Sequence, residues 1–169
     1  NKWFAGILTG KSIVGLRAED IVRINHFIKV DLPRYQSTTA ISVGVLGSEL
    51  LHAATFDQNI HKVCLIQPFL SYSDIALTRD YQPSYIHSVV PGAITKYDLP
   101  DLIASISPKK ILIINSLEAN GLNANEQKIR EIMSFPIDIY NNKNTTNNFT
   151  IESNIHNQAV AERVLSWLE

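Results

Sequence analysis

Four short apolar segments rich in Ile and Val recur along the chain. They are TAISVGVL, HKVCLIQ, KKILIIN and FPIDIYN, at residues 39–46, 61–67, 109–115 and 135–141. Each is almost continuously apolar, which is typical of strands that are covered on both faces of a parallel sheet. The pattern therefore predicts four buried strands.

Segments with helical spacing lie between and around these strands. The segment at 15–30 places apolar side chains near one helix face, and these are Leu16, Ile21, Ile24, Phe27 and Ile28. Further helices are predicted at 48–57, 124–135 and 157–169. Because strands and helices alternate, the sequence predicts an α/β fold, a three-layer αβα sandwich with a mainly parallel sheet in which the four strands follow one another in chain order. A single domain over residues 1–169 is expected from the length.

Two connecting regions interrupt this alternation. The stretch from Pro68 to Gly92, with its Tyr, Ser and Pro residues, predicts a long excursion at the carboxyl ends of the strands. It is followed by a helix start, with Asp98 as the cap and Pro100 in the first turn. Residues 141–150 are Asn-rich and polar, and predict a loop.

Composition narrows the classes of partner. Hydrophobic residues make up 45% of the chain and charged residues 18%, with a formal net charge of -1. This balance predicts neither a nucleic-acid nor a membrane partner. The single cysteine, Cys64, excludes an internal disulfide and predicts a buried thiol. His26, His52, His61 and His87 are interpreted as structural, and neither a metal site nor a cofactor is expected.

The stretch ISVGVLGSELLHAA, at residues 41–54, predicts a strand, a tight turn and a helix. This is the context of a hydrolase nucleophile elbow, in which the pattern GxSxG places a serine on a strained turn. Aligning the pattern with residues 44–48 places Leu46 at the nucleophile position, where no attack is possible. Shifting the pattern makes Ser48 the nucleophile, but then Leu46 and Leu50 occupy the positions that need small residues.

Candidates for the other two members of a catalytic triad follow later strands. Glu118 lies just after the predicted strand at 109–115, and His156 lies in the loop before the last helix. The order nucleophile, acid, base is that of the α/β-hydrolases. Alternatively, Glu118 is a loop carboxylate near a helix start and His156 a solvated histidine.

Four stretches together carry a family resemblance. They are ILTGKSIVGLRAEDIVR, GVLGSELLHAA, VVPGAITKYDLPDL and ILIINSLEANG. Through them the chain resembles the carboxyl-terminal half of bacterial α/β-hydrolases of the acetyl xylan esterase-like family. The resemblance implies carbohydrate ester chemistry, with a serine nucleophile, a histidine base and backbone amides that hold the oxyanion.

Carried over to this chain, the resemblance assigns the acid to Glu118, where related sequences usually have Asp, and the base to His156. The nucleophile position falls on Leu46, so the elbow is degenerate. The resemblance also implies earlier strands and an oxyanion loop that precede the region present here. We therefore expect an esterase-like domain without activity of its own, serving as a binding or structural module for acylated or plain carbohydrate.

The alternative is an active serine esterase that uses Ser48, Glu118 and His156. Both hypotheses leave the strand at 40–46 with an unpaired edge. That edge is expected to be covered by residues 1–8, by a second copy in a homo-oligomer, or by the amino-terminal half of the same hydrolase. A periplasmic or secreted location follows from the resemblance alone.

Overall fold

A parallel sheet forms the centre of the protein in a computed structural model that describes residues 2–32, 34 and 37–169. Its strands are β1 (Thr38–Val43), β2 (Ile60–Ile66), β3 (Lys110–Ile114) and β4 (Phe149–Glu152). They lie in the order β1-β2-β3-β4, and each neighbouring pair is parallel. The predictions of an α/β fold and of a parallel sheet are confirmed, and the first three predicted strands lie beside one another in the expected order.

Helices connect and flank the strands. They are α1 (Lys2–Leu8), α2 (Ile13–Asp31), α3 (Gly47–Phe56), α4 (Tyr72–Leu77), α5 (Leu99–Ser105), α6 (Glu126–Ile132), α7 (Ser134–Asn142) and α8 (Asn157–Leu168). Short 3-10 turns occupy Gly44–Leu46, Pro83–Ser88, Ala93–Thr95 and Thr146–Asn148. None of these helices is long and apolar enough to cross a membrane.

The two faces of the sheet belong to two apolar clusters. Side chains of β2 and β3 alternate between them, as strand geometry requires. One cluster joins Val63, Leu65, Ile111 and Ile113 to residues of α3, α5 and α7, and the other joins Cys64, Leu112 and Ile114 to α8. Helices therefore cover both faces, which is compatible with the predicted three layers. Each fully buried Ile or Leu contributes roughly 1.5–3 kcal/mol.

The predicted fourth strand at residues 135–141 is wrong. This segment is helix α7, in which Pro136 and Tyr140 are buried four residues apart on the same helix face. Pro136 is the third helical residue, where the missing N–H costs no intrahelical bond. The fourth strand is instead Phe149–Glu152, which begins within the stretch predicted as a polar loop.

Helix α2 does not bury the apolar face that its sequence indicates. Leu16 is 37% exposed, Ile24 59% and Phe27 66%. The helix packs through the buried Val14, Ala18 and Asn25 and through the half-buried Ile21 and Val22, and Asn25 hydrogen-bonds Asp57 and Thr38. Only part of the predicted apolar face is thus packed, and the rest remains at the surface.

The helix start at Asp98 is confirmed. The Asp98 carboxylate accepts from the Leu99 N–H at 2.6 Å, and the Asp98 N–H donates to the Asp101 carboxylate at 2.7 Å. The Asp98 carboxylate also accepts hydrogen bonds from the N–H groups of Tyr72 and Ser73, at 2.6 and 3.0 Å. One side chain therefore caps α5 and fixes the start of α4 beside it.

Candidate functional site

Residues with positive φ lie at the carboxyl edge of the sheet. Each strand is followed, within two residues, by a residue with positive φ: Gly44 (63°), Gln67 (53°), Asn115 (53°) and Asn154 (61°). Residues other than glycine rarely adopt this backbone conformation, and those that do cluster at ligand and active sites. Open α/β sheets bind ligands at this same edge. The edge is therefore the candidate functional site.

The turn from β1 into α3 contains the elbow-like feature. Gly44 follows β1 directly with φ 63°, and a Cβ atom built on it would meet nothing within 4 Å. A Cβ on Gly47 would lie 3.2 Å from the Pro68 Cβ, so the start of α3 requires a small residue. The turn thus holds a positive-φ position that faces open space, and that position carries no side chain.

Leu46, the nucleophile position expected from the sequence pattern, lies two residues farther on. Its backbone is right-handed helical, with φ −68° and ψ −7°, and the residue is 48% exposed. Leu46 therefore does not hold the turn's positive φ and is not buried. In the folded chain the residue with positive φ between strand and helix is Gly44, which adopts this conformation without strain.

Ser48, the alternative nucleophile, lies in the first turn of α3 and is 2% exposed. Its hydroxyl lies 2.7 Å from the Glu49 carboxylate, 3.1 Å from the Ser88 carbonyl oxygen and 3.2 Å from the Val45 carbonyl oxygen. All three partners accept, so the single hydroxyl proton serves one of them at a time. No imidazole contacts Ser48 Oγ within the part of the chain that the structure describes.

Glu49 is fully buried beside Ser48. Its other carboxylate oxygen lies 2.9 Å from the Arg17 guanidinium, which reaches in from α2 and is 49% exposed. A buried carboxylate requires such a partner because its desolvation is costly. The Arg17–Glu49 pair therefore fastens α2 to α3 immediately behind the turn.

His52 stands one helical turn after Ser48. Its Nδ1 lies 2.7 Å from the Ser48 carbonyl oxygen, and its Nε2 lies 2.8 Å from the Tyr97 hydroxyl. A carbonyl can only accept, so the hydrogen bonds assign the proton to Nδ1 and make Tyr97 the donor to Nε2. Burial lowers the pKa of His52, against the opposing effects of the Ser48 carbonyl and the Glu49 charge. The imidazole is therefore neutral near pH 7.

Tyr72 completes this buried group. Its hydroxyl lies beside that of Ser48, and its ring centroid lies 6.5 Å from that of His52. Burial raises the pKa of Tyr72 far above its ordinary value, against the opposing effect of hydrogen bonding with Ser48. The sequence analysis did not predict this cluster, which consists of Ser48, Glu49, His52, Tyr72 and Tyr97. The four-residue spacing of Ser48 and His52 on one helix was the local pattern that indicated part of it.

Glu118 follows β3, as the sequence predicts, but lysine holds its carboxylate. Lys128 Nζ lies 3.1 Å from Glu118 and 2.7 Å from Asp74. Burial lowers the pKa of Lys128, but the hydrogen bonds and charges of these two carboxylates outweigh it and raise that pKa. Asp74 also accepts the Ala119 N–H at 2.8 Å. The group ties the β3 loop to α4 and α6.

His156 precedes α8 and is exposed. Its backbone carbonyl accepts from the Ala159 N–H at 2.8 Å, but its imidazole makes no hydrogen bond to any described residue. The three candidate triad residues thus all follow carboxyl ends of strands. Hydrogen bonds do not connect them to one another in this structure.

The described residues form no metal-binding cluster. Within residues 2–32, 34 and 37–169, no group of three or more His, Cys, Asp or Glu side chains is placed to hold a metal ion. Comparison of the chain with protein families, curated proteins and solved structures gave no match.

Proposed function

We propose that this chain is an α/β-hydrolase-like module that lacks a nucleophile of its own and acts by binding. The observation that carries the proposal is Gly44. Gly44 occupies the positive-φ position between strand and helix. A nucleophile elbow presents its serine to solvent at such a turn. A glycine there leaves the backbone of the elbow in place but removes the attacking atom.

The order of the elements supports the same relationship. In an α/β-hydrolase the nucleophile, the acid and the base occur in that order along the chain. Here the Gly44 turn follows β1, Glu118 follows β3 and His156 follows β4, all at one edge of a parallel sheet. The resemblance to acetyl xylan esterases suggests acylated carbohydrate as the ligand class for this edge.

The contacts of Ser48 argue against the alternative of an active serine esterase. Attack requires a hydroxyl within reach of both a base and the substrate. Ser48 is buried, and its partners are a carboxylate that Arg17 already neutralises and two backbone carbonyls.

A fluorophosphonate probe and a binding titration test the proposal together. We expect no labelling of the wild-type protein and no acetate release from acetylated xylo-oligosaccharides. Titration with the same oligosaccharides should shift amide NMR signals of Gln67, Asn115 and their neighbours. Gly44→Ala adds a methyl group to the open side of the turn and strains its positive-φ backbone, and it should weaken this binding.

Two outcomes would contradict the proposal. Probe labelling that disappears in Ser48→Ala would establish the serine esterase instead. Absence of both labelling and signal shifts at millimolar oligosaccharide would show that the module does not bind this ligand class.

A further inference from the structure

Strand β1 is an edge strand without the usual protection. It pairs with β2 on one side, and no described residue pairs with its outer edge. Soluble proteins normally protect such edges with charged residues, proline or covering segments. The six residues of β1, TTAISV, include neither a charged residue nor a proline. Of the residues 1–8 that were expected to cover this edge, residues 2–8 form helix α1, which contacts α2 and adds no strand to the sheet, and Asn1 lies outside the described residues.

Grooves border this edge on both faces of the sheet. On the α2 and α3 side, a groove of about 630 Å³ is lined by Arg17, Ile21, Ala40, Ser42 and Leu50 among others. On the α8 side, a groove of about 570 Å³ is lined by Ile41, Val43, Val160, Leu165 and Leu168 among others. An added strand places alternate side chains on opposite faces. Such a strand would therefore reach into both grooves at once.

Successive side chains of β1 point toward opposite faces of the sheet, and so toward the two grooves in turn. Ile41 and Val43 are 47% and 58% exposed and line the α8 groove. Ser42 lines the other groove, is 8% exposed, and its hydroxyl has no hydrogen-bond partner among the described residues. The edge thus combines unpaired backbone, exposed apolar side chains and a buried hydroxyl without a partner.

The charge and composition of β1 and its grooves restrict which segment can pair with the outer edge of β1. The strand is uncharged, and of the charged residues that line the α2 and α3 groove, Arg17 and Glu49 bind each other, while Asp20 is exposed. The matching segment is therefore an uncharged strand with β-branched residues on alternate positions. Strand β1 of a second copy meets this description itself.

We propose that two copies of the chain pair antiparallel through β1 and form one continuous sheet about a two-fold axis. Such an isologous contact uses the same patch on both copies. A two-fold axis perpendicular to the sheet places Ile41 and Val43 of both copies on one face, between the two copies of α8. The proposal does not depend on the proposed function of the carboxyl edge.

The edge of β1 is long enough for backbone pairing but is too small to form a stable interface by itself. Six residues at about 3.4 Å each give roughly 20 Å of edge for backbone pairing. A stable interface buries about 800 Å² on each partner, more than strand backbone alone provides. The flanking grooves must therefore close in the same contact, as the shared face of Ile41 and Val43 allows.

Light scattering on the purified chain across a dilution series tests the proposal. The wild type should show twice the monomer mass. Ile41→Lys places a charge on the pairing edge at an exposed position, and should halve the mass. Leu77→Lys is the matched control, because Leu77 is 87% exposed and lies on α4, away from β1.

Backbone-amide hydrogen exchange of the wild type provides a second measurement that needs no variant. The β1 amides that point away from β2 should be protected in the dimer and lose that protection on dilution. The proposal is wrong if the wild type is a monomer throughout the series. It is equally wrong if Ile41→Lys folds and dimerises as the wild type does, or if the β1 amides exchange at the same rate at every concentration.

Discussion

Replacing Tyr97 with phenylalanine isolates the hydrogen bond that holds His52 at the candidate site. The Tyr97 hydroxyl donates to His52 Nε2 at 2.8 Å, while His52 Nδ1 is committed to the Ser48 carbonyl. His52 is only 7% exposed, so Tyr97→Phe leaves a buried acceptor without a donor. The ring itself is retained, and with it the apolar contacts.

The expected cost follows from the desolvation of that nitrogen. An unsatisfied buried acceptor costs about 1–3 kcal/mol. Because Tyr97 is half-buried and water can approach from its side, we expect about 1–2 kcal/mol. For a chain of this length each kcal/mol shifts Tm by roughly 2–4 °C, so Tm should fall by about 2–8 °C.

Urea unfolding monitored by circular dichroism, together with calorimetry, measures the effect. Tyr81→Phe is the matched control, since Tyr81 is also half-buried but its hydroxyl makes no hydrogen bond to a described residue. If Tyr97→Phe is no less stable than Tyr81→Phe, Tyr97 does not supply the donor to His52 and the assigned tautomer is wrong.

Three further predictions concern the titratable groups. Asp57 accepts hydrogen bonds from Asn25 and Asn59, and although burial raises its pKa, these bonds lower that pKa overall. Asp57→Ala should lower the free energy of unfolding by about 1–3 kcal/mol in urea at pH 7. An unchanged urea midpoint would contradict this prediction. Because burial lowers the pKa of His52 below 6.5, the unfolded chain binds that proton more readily, so the free energy of unfolding should decrease as the pH falls below about 6.5. His52→Gln should reduce that decrease, and an identical pH profile would refute the assignment. Burial raises the pKa of Cys64 to about 11, so at pH 8 a thiol reagent should modify it only after unfolding, and fast labelling of the native protein would show that Cys64 is accessible.

The parallel sheet could be predicted from the sequence because its signal is local. Strands β2 and β3 are short, nearly continuous runs of Ile, Val and Leu, and few other structures bury every residue of such a run. The Asp98 cap could also be predicted, because its bonds to the first turn of α5 are local, whereas its bonds to the Tyr72 and Ser73 N–H groups could not. Interactions of short range along the chain can be inferred without knowing the fold.

The segment at 135–141 is a helix where a strand was predicted, and the fourth strand begins within the predicted loop at 141–150. A short apolar run fits either a strand or one face of a helix, and periodicity alone does not distinguish them. Tyr140 decides in favour of the helix, since its ring is buried against Phe149 and its hydroxyl donates to the Lys109 carbonyl oxygen at 2.9 Å. Both contacts join residues that are distant in sequence or belong to another element, so no local pattern reveals them.

The candidate site shows the same division. That a strand, a glycine turn and a helix occur at residues 41–54 could be predicted, because small residues mark tight turns. Which residue carries the positive φ could not, since Gly44 and Gly47 both fit the turn and only the packing of Gly47 against Pro68 assigns their roles. The hydrogen bond between His52 and Tyr97 spans 45 positions of the chain. It exists because the sheet and α3 bring these side chains together, and tertiary packing alone determines which distant polar groups become partners.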